Sequence, residues 1–207
     1  MRVIGITGGV GAGKSEVIGY IEKQYRAPVL LADDIGHDLM HSQGACYRAV
    51  IDLFGKEILT EDGEPDRKRI ADLVFRDPQL LEQLNAVIHP AVRKEILHRI
   101  EDRRKEKDAF FFLESAILIE EKYDEICDEL WYVYAGESVR EARLKESRHY
   151  SEQKIRDVMC RQLPEAVFRR KCDFVIDNSA DFSETAHQID ERMKQYEVLQ
   201  HCQRQQR

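Results

Sequence analysis

The residues best suited to chemistry stand near the start of the chain. Gly8-Gly9-Val10-Gly11-Ala12-Gly13-Lys14-Ser15 fits the pattern G-x-x-x-x-G-K-[ST] in full, and each residue type has a reason to be there. Glycines let backbone N–H groups close around phosphate oxygens. A following helix adds the partial positive charge of its N-terminus. Lys14 is expected to neutralise the β- and γ-phosphates of ATP, and Ser15 to offer its hydroxyl to Mg2+, with Glu16 completing the ATP-binding run. A glycine-rich turn with no ligand is the ordinary alternative. It is disfavoured because an apolar β-branched run precedes the motif and a helical pattern follows it.

A loop of this kind needs a sheet to hold it. Residues 2–7 read as a buried strand, and further apolar runs lie at 27–32, 109–113, 130–134 and 174–176. Continuous apolar runs fit strands covered on both faces, and helical patterns lie between them, so the expected fold is α/β with a parallel five-stranded sheet flanked by helices. The spacing is uneven. Nearly eighty residues separate the second and third runs, with helical patterns near 35–54, 67–75, 78–88 and 91–104, which is too long for a simple crossover. A second insertion falls between the fourth and fifth runs. Ser138 and Glu141 have the spacing of a capping box, a helix is expected over 151–163, and Pro164 ends or restarts it. Asp181 and Glu184 suggest another cap, opening a last helix to about Leu199, with a frayed polar tail at 201–207. The expected division is a nucleotide-binding core at 1–34, 109–137 and 172–207, a helical substrate lobe at 35–108, and a basic helical lid at 138–171.

Composition narrows the classes. The chain has 207 residues and a net charge of −7, with 43% hydrophobic and 34% charged residues. That suits a globular protein with its own core and argues against a dedicated nucleic-acid binder. The cysteines at 46, 127, 160, 172 and 202 are odd in number and never spaced C-x-x-C, so reduced thiols in a cytoplasmic protein are expected. No apolar run approaches the roughly 20 residues of a membrane span. The mixed run at 101–108 reads as a solvated helix end. A monomer is the favoured state.

Among phosphate-loop proteins, a regulatory GTPase is the main competing class. Asp33-Asp34-Ile35-Gly36 fits D-x-x-G, but it begins only 18 residues after Ser15 and no N-K-x-D follows. A motor ATPase would show an acidic pair ending a strand, and Leu113-Glu114 lacks one. A small kinase remains. Asp33 is expected to end the second strand, at the carboxyl edge where ligands bind; a helix N-cap is the plainer reading. The stretch 138–171 holds ten Lys/Arg against five Asp/Glu. A basic helical insert in a phosphoryl-transfer enzyme suggests a lid, with Arg140 and Arg143 on one helical face, reaching ATP phosphates only on closure. An exposed helix pair is the alternative.

The ordered series ITGGVGAGKS, LLADDIGHDL, LNAVIHPAVR, LESAILIE, Gln162-Leu163 and CDFVIDNS, spread over residues 2–190, resembles the dephospho-coenzyme A kinases. The resemblance implies a P-loop kinase fold, ATP and Mg2+, and transfer of phosphate to the 3′-hydroxyl of dephospho-CoA. It puts Asp33 at the catalytic aspartate, and His89 and Arg93 near the substrate; for His89, capping and packing ahead of Pro90 is the alternative. Glu114 would hold a magnesium-bound water or face solvent. This chain departs from the family pattern at Leu31, His37, Ala116 and Ser147, where the family often has Asp, Arg, Pro and Arg. A nucleoside or nucleoside monophosphate kinase of the same fold is the alternative function.

Overall fold

The computed structural model describes the backbone of residues 1–205 and the side chains of residues 1–196. Five strands, β1 (Arg2–Thr7), β2 (Val29–Leu31), β3 (Phe110–Glu114), β4 (Glu129–Tyr134) and β5 (Phe174–Asp177), form one sheet in the order β2-β3-β1-β4-β5. The pairs β1–β3, β1–β4 and β4–β5 are parallel. The three inner strands are the apolar runs with the most complete burial, because each is covered on both faces and by neighbours on both edges. Their core is aromatic: Trp131 packs edge-on against Phe112 at 5.6 Å and Phe174 at 5.3 Å.

The chain divides into two compact units. The larger comprises Arg2–Val29 and Ala109–Arg207, and the smaller is Leu30–Asp108 with Met1. In the larger unit α1 (Lys14–Tyr25) follows β1. Between β4 and β5 come α6 (Glu137–Arg148), α7 (Glu152–Cys160) and α8 (Glu165–Lys171), and α9 (Phe182–Gln205) closes the chain. The capping box expected at Ser138 is not what starts α6. Gly136 is the N-cap; its carbonyl accepts from Arg140 N–H, and its own N–H is bound by the Ser179 hydroxyl. Ser138 is thereby drawn inside the helix. Ser151 caps α7 by accepting from Lys154 N–H, and Pro164 restarts the chain into α8. At the head of α9, Glu184 N–H donates to the Asp181 carbonyl. That helix runs to Gln205, through most of the tail expected to fray; residues 206–207 and the side chain of Cys202 lie outside what is described.

The smaller unit is helical: α2 (Ala32–Met40), α3 (Tyr47–Phe54), α4 (Arg67–Arg76) and α5 (Pro78–Lys105). The helix expected over 35–54 is two helices. Gly44 turns so tightly beneath the Leu39 carbonyl that a side chain there would collide with it, and Cys46 N–H then donates to that carbonyl. Conversely, the two helices expected at 78–88 and 91–104 are one. Asp77 caps α5 through Gln79 and Leu80 N–H, and Pro90 is contained within the helix. A proline inside a helix removes a bond and crowds the preceding turn. Burial of Ile88, Val92, Ile96 and Ile100 along one face offsets that cost. A Cβ on Gly36 of α2 would stand 3.6 Å from Ile88 and 3.7 Å from Val92, so α2 lies close along α5.

Candidate active site

The phosphate loop leaves β1 after Thr7 and ends at Gly13, the N-cap of α1, which has φ 90°. An L side chain would be strained in that left-handed conformation, and a Cβ would also collide with the Asn178 amide nitrogen. No side chain caps α1, so its N-terminus is left to an anion.

What shapes the loop is the binding of alternate carbonyls. Lys14 Nζ donates to Gly8 O at 2.9 Å, Arg140 Nε to Val10 O at 2.8 Å, and Asn178 Nδ2 to Ala12 O at 2.9 Å, with Arg143 Nη1 at 3.4 Å from the same oxygen. In a planar trans peptide, C=O and the next N–H point in opposite directions, and the backbone has no cis bond. Holding the carbonyls of 8, 10 and 12 therefore turns the N–H groups of Gly9, Gly11 and Gly13 the other way. Such a set of amides forms a concave anion site. Asn178 is itself fixed, because its Oδ1 accepts from the Thr185 hydroxyl at 2.8 Å and both residues are fully buried.

Lys14 Nζ also lies 3.8 Å from Glu114 Oε1, an ion pair with both side chains mostly shielded. The register Ile6↔Glu114 brings this carboxylate to the end of β3 beside the loop. Ser15, in the first turn of α1, is exposed. A hydroxyl and a carboxylate are the hard oxygen donors that Mg2+ takes along with water and phosphate oxygens, so these residues fit the ion. Ser115, in the strand-end segment that departs from the family pattern, is buried, and its hydroxyl accepts from Ile117 N–H to form the turn.

Arg140 and Arg143 are the arginines expected to reach ATP phosphates on closure. Both bond the loop backbone in this structure, and a Cβ on Gly9 would stand 2.5 Å from the Arg140 guanidinium. Gly9 thus leaves room for the arginine. Beside it opens a cavity of about 310 Å³, walled in part by Tyr132, Tyr134, Gln162 and Phe168. Tyr132 stacks on Phe168 at 4.8 Å, and burial pushes its hydroxyl up to about 12, so it stays protonated.

The smaller unit holds the remaining expected residues. Asp33 does not end the second strand. β2 stops at Leu31, which is the N-cap of α2, and Asp33 and Asp34 occupy the first helical turn, both exposed. Neither is the cap; both complement the helix N-terminus, and their side chains diverge by a helical step. His89 and Arg93 lie one turn apart on α5, half-buried and next to Ile88 and Val92. The capping alternative for His89 fails because α5 does not begin at Pro90.

Against this geometry, the family model for dephospho-CoA kinase matches residues 2–184. The chain belongs to the dephospho-CoA kinase family. A dephospho-CoA kinase of Enterococcus faecalis is 33% identical over 188 residues, covering 91% of this chain and 94% of that protein. One from Carboxydothermus hydrogenoformans is 35% identical over 189 residues, covering 91% of each. Among solved structures, a Thermus thermophilus protein superposes with a TM-score of 0.80 at 27% identity, covering 94% of this chain and 97% of that one. The dephospho-CoA kinase match takes in the phosphate loop and also Gln162 and Asn178. The sequence singled out those two only as parts of a resemblance, never as groups that bond the loop.

Proposed function

We propose that this chain transfers the γ-phosphoryl group of ATP to the ribose 3′-hydroxyl of dephospho-CoA, giving ADP and CoA. The observation that carries the reading is a complete phosphate loop, with the carbonyls of Gly8, Val10 and Ala12 each held by a side chain, in a chain of the dephospho-CoA kinase family. In the reaction the 3′-oxygen forms a bond to Pγ as the bond from Pγ to the bridging oxygen of ADP breaks. The hydroxyl proton passes to Asp33. Charge on the transferring group is met by Lys14, Arg140 and Arg143 and by the loop amides.

Bound through Ser15, with Glu114 holding one of its waters, Mg2+ would neutralise charge on the β- and γ-phosphates. The 35–108 helices would form the lobe that takes the acceptor, with His89 and Arg93 against it, and 138–171 the lid. His89 and Arg93, four apart on one helix, suit a phosphorylated ligand. We assign the reaction to the cytoplasm and to a monomer. Among the described residues no helix is long and apolar enough to cross a membrane. A nucleoside or nucleoside monophosphate acceptor has no comparable support.

The test is the product. Incubation with ATP, Mg2+ and dephospho-CoA should give a species heavier by one phosphoryl group, with a 3′-phosphomonoester signal in the phosphorus spectrum. Phosphate at the 2′-position, or no new ester, would count against the reading.

A further inference from the structure

Both hydrogen-bonding groups of the Val10 main chain are taken by the same pair of side chains. Val10 N–H donates to Gln162 Oε1 at 3.1 Å, Arg140 Nε donates to Val10 O at 2.8 Å, and Arg140 Nη2 donates to the same Gln162 oxygen at 2.6 Å. The three bonds close a ring. Gln162 is supplied from beyond α7, 152 residues along the chain from Val10 and 22 from Arg140. It stands in the short connection before Pro164, where Gln162 N–H is itself bound to the Met159 carbonyl.

We propose that Gln162 is a positioning residue: its amide oxygen sets the Arg140 guanidinium on the phosphate loop and so fixes the loop's grip on the nucleotide phosphates. This rests on the nucleotide-binding half of the reading above. The chemistry favours an amide. One oxygen with two lone pairs accepts from the backbone and from the arginine together. It is also neutral, so the charge of Arg140 is not cancelled and remains available to phosphate. A carboxylate would hold the same geometry but quench that charge. Through Arg140 the arrangement also acts on the Val10 carbonyl, and hence on the Gly11 amide that faces the opposite way. Gln162 itself need not touch the nucleotide.

The test is a double-mutant cycle. Gln162→Met keeps the length and removes the acceptor; Gln162→Ala serves as a second truncation in case the thioether disturbs packing. Affinity for a non-hydrolysable ATP analogue with Mg2+ is read by calorimetry on the full chain. Each variant is checked for its thermal midpoint. Gln162→Met should weaken binding about tenfold, the effect of losing a charge-assisted bond. In an Arg140→Ala background the same change should add less than about twofold, because the two residues act as one unit. Full, multiplicative loss in that background would overturn the proposal, as would unchanged affinity in folded Gln162→Met and Gln162→Ala. The measurement needs no acceptor. A wild-type chain that binds the analogue but does not phosphorylate dephospho-CoA would therefore defeat the acceptor assignment and leave the cycle to decide the role of Gln162.

Discussion

The Asn178 side chain holds the carbonyl oxygen of Ala12 at 2.9 Å from within a fully buried site, with Thr185 bonded behind it. This contact ties β5 and α9 to the last turn of the phosphate loop. Asn178→Ala leaves Ala12 O with Arg143 at 3.4 Å and the Thr185 hydroxyl with the Asp177 carbonyl at 3.3 Å. The Gly13 amide loses its fixed aim. A stability loss of about 1–3 kcal/mol is expected from the broken buried bonds, together with about tenfold weaker ATP binding. Urea titration and calorimetry read the two effects separately. Lost stability with unaltered nucleotide affinity would show that Asn178 supports the fold but not the loop.

Asp33 and Asp34 give a paired comparison. Both are exposed in the first turn of α2, so both complement its N-terminus to a similar degree. In the proposed role of base, Asp33 must do more. Asp33→Asn should lower turnover by about a hundredfold or more while keeping ATP affinity within about threefold; Asp34→Asn should be much milder. Steady-state rates on both variants decide it. Equal, small losses would reduce Asp33 to a helix-terminus charge.

Much of the fold is legible in the sequence because it is local. The phosphate loop is contiguous, and the strand runs announce themselves by their apolar residues. The expectations that fail are those in which packing overrides a local rule. Pro90 reads as a break, yet the Ile88-Val92-Ile96-Ile100 face holds α5 together. Asp33 reads as a strand end, yet Leu31 already caps α2. Gln162 and Asn178 are a further case: they reach the loop from 152 and 166 residues away, and no spacing rule connects them to it.

Glu129 carries a pH prediction. It is 5% exposed, and its carboxylate accepts from Trp131 Nε1, from Arg192 through two nitrogens, and from Arg2. Burial alone would raise its pKa, but the hydrogen bonds around it, those of Arg192 and Trp131 among them, prevail and hold it below the ordinary value of 4.5. A depressed folded pKa means that its stabilisation is complete above the unfolded value and is lost as pH falls through the folded one. Glu129→Gln should therefore cost about 1–3 kcal/mol at pH 7, at the low end for a buried pair because both arginines are partly exposed. The gap from wild type should hold from pH 7 to about 5 and narrow as pH falls from there towards about 3. Denaturant midpoints across that range check it, and a gap independent of pH would contradict the ion-pair account.

The central claim is the acceptor, and one measurement meets it directly: initial rates of ADP release with Mg2+ and ATP against dephospho-CoA, AMP, CMP, UMP and shikimate, each at the same concentration. Dephospho-CoA should be turned over at least about a hundredfold faster than any other acceptor, the discrimination expected when a site pairs its polar groups with one substrate. Comparable rates with a nucleoside monophosphate or shikimate, or no ADP release with dephospho-CoA, would contradict the account.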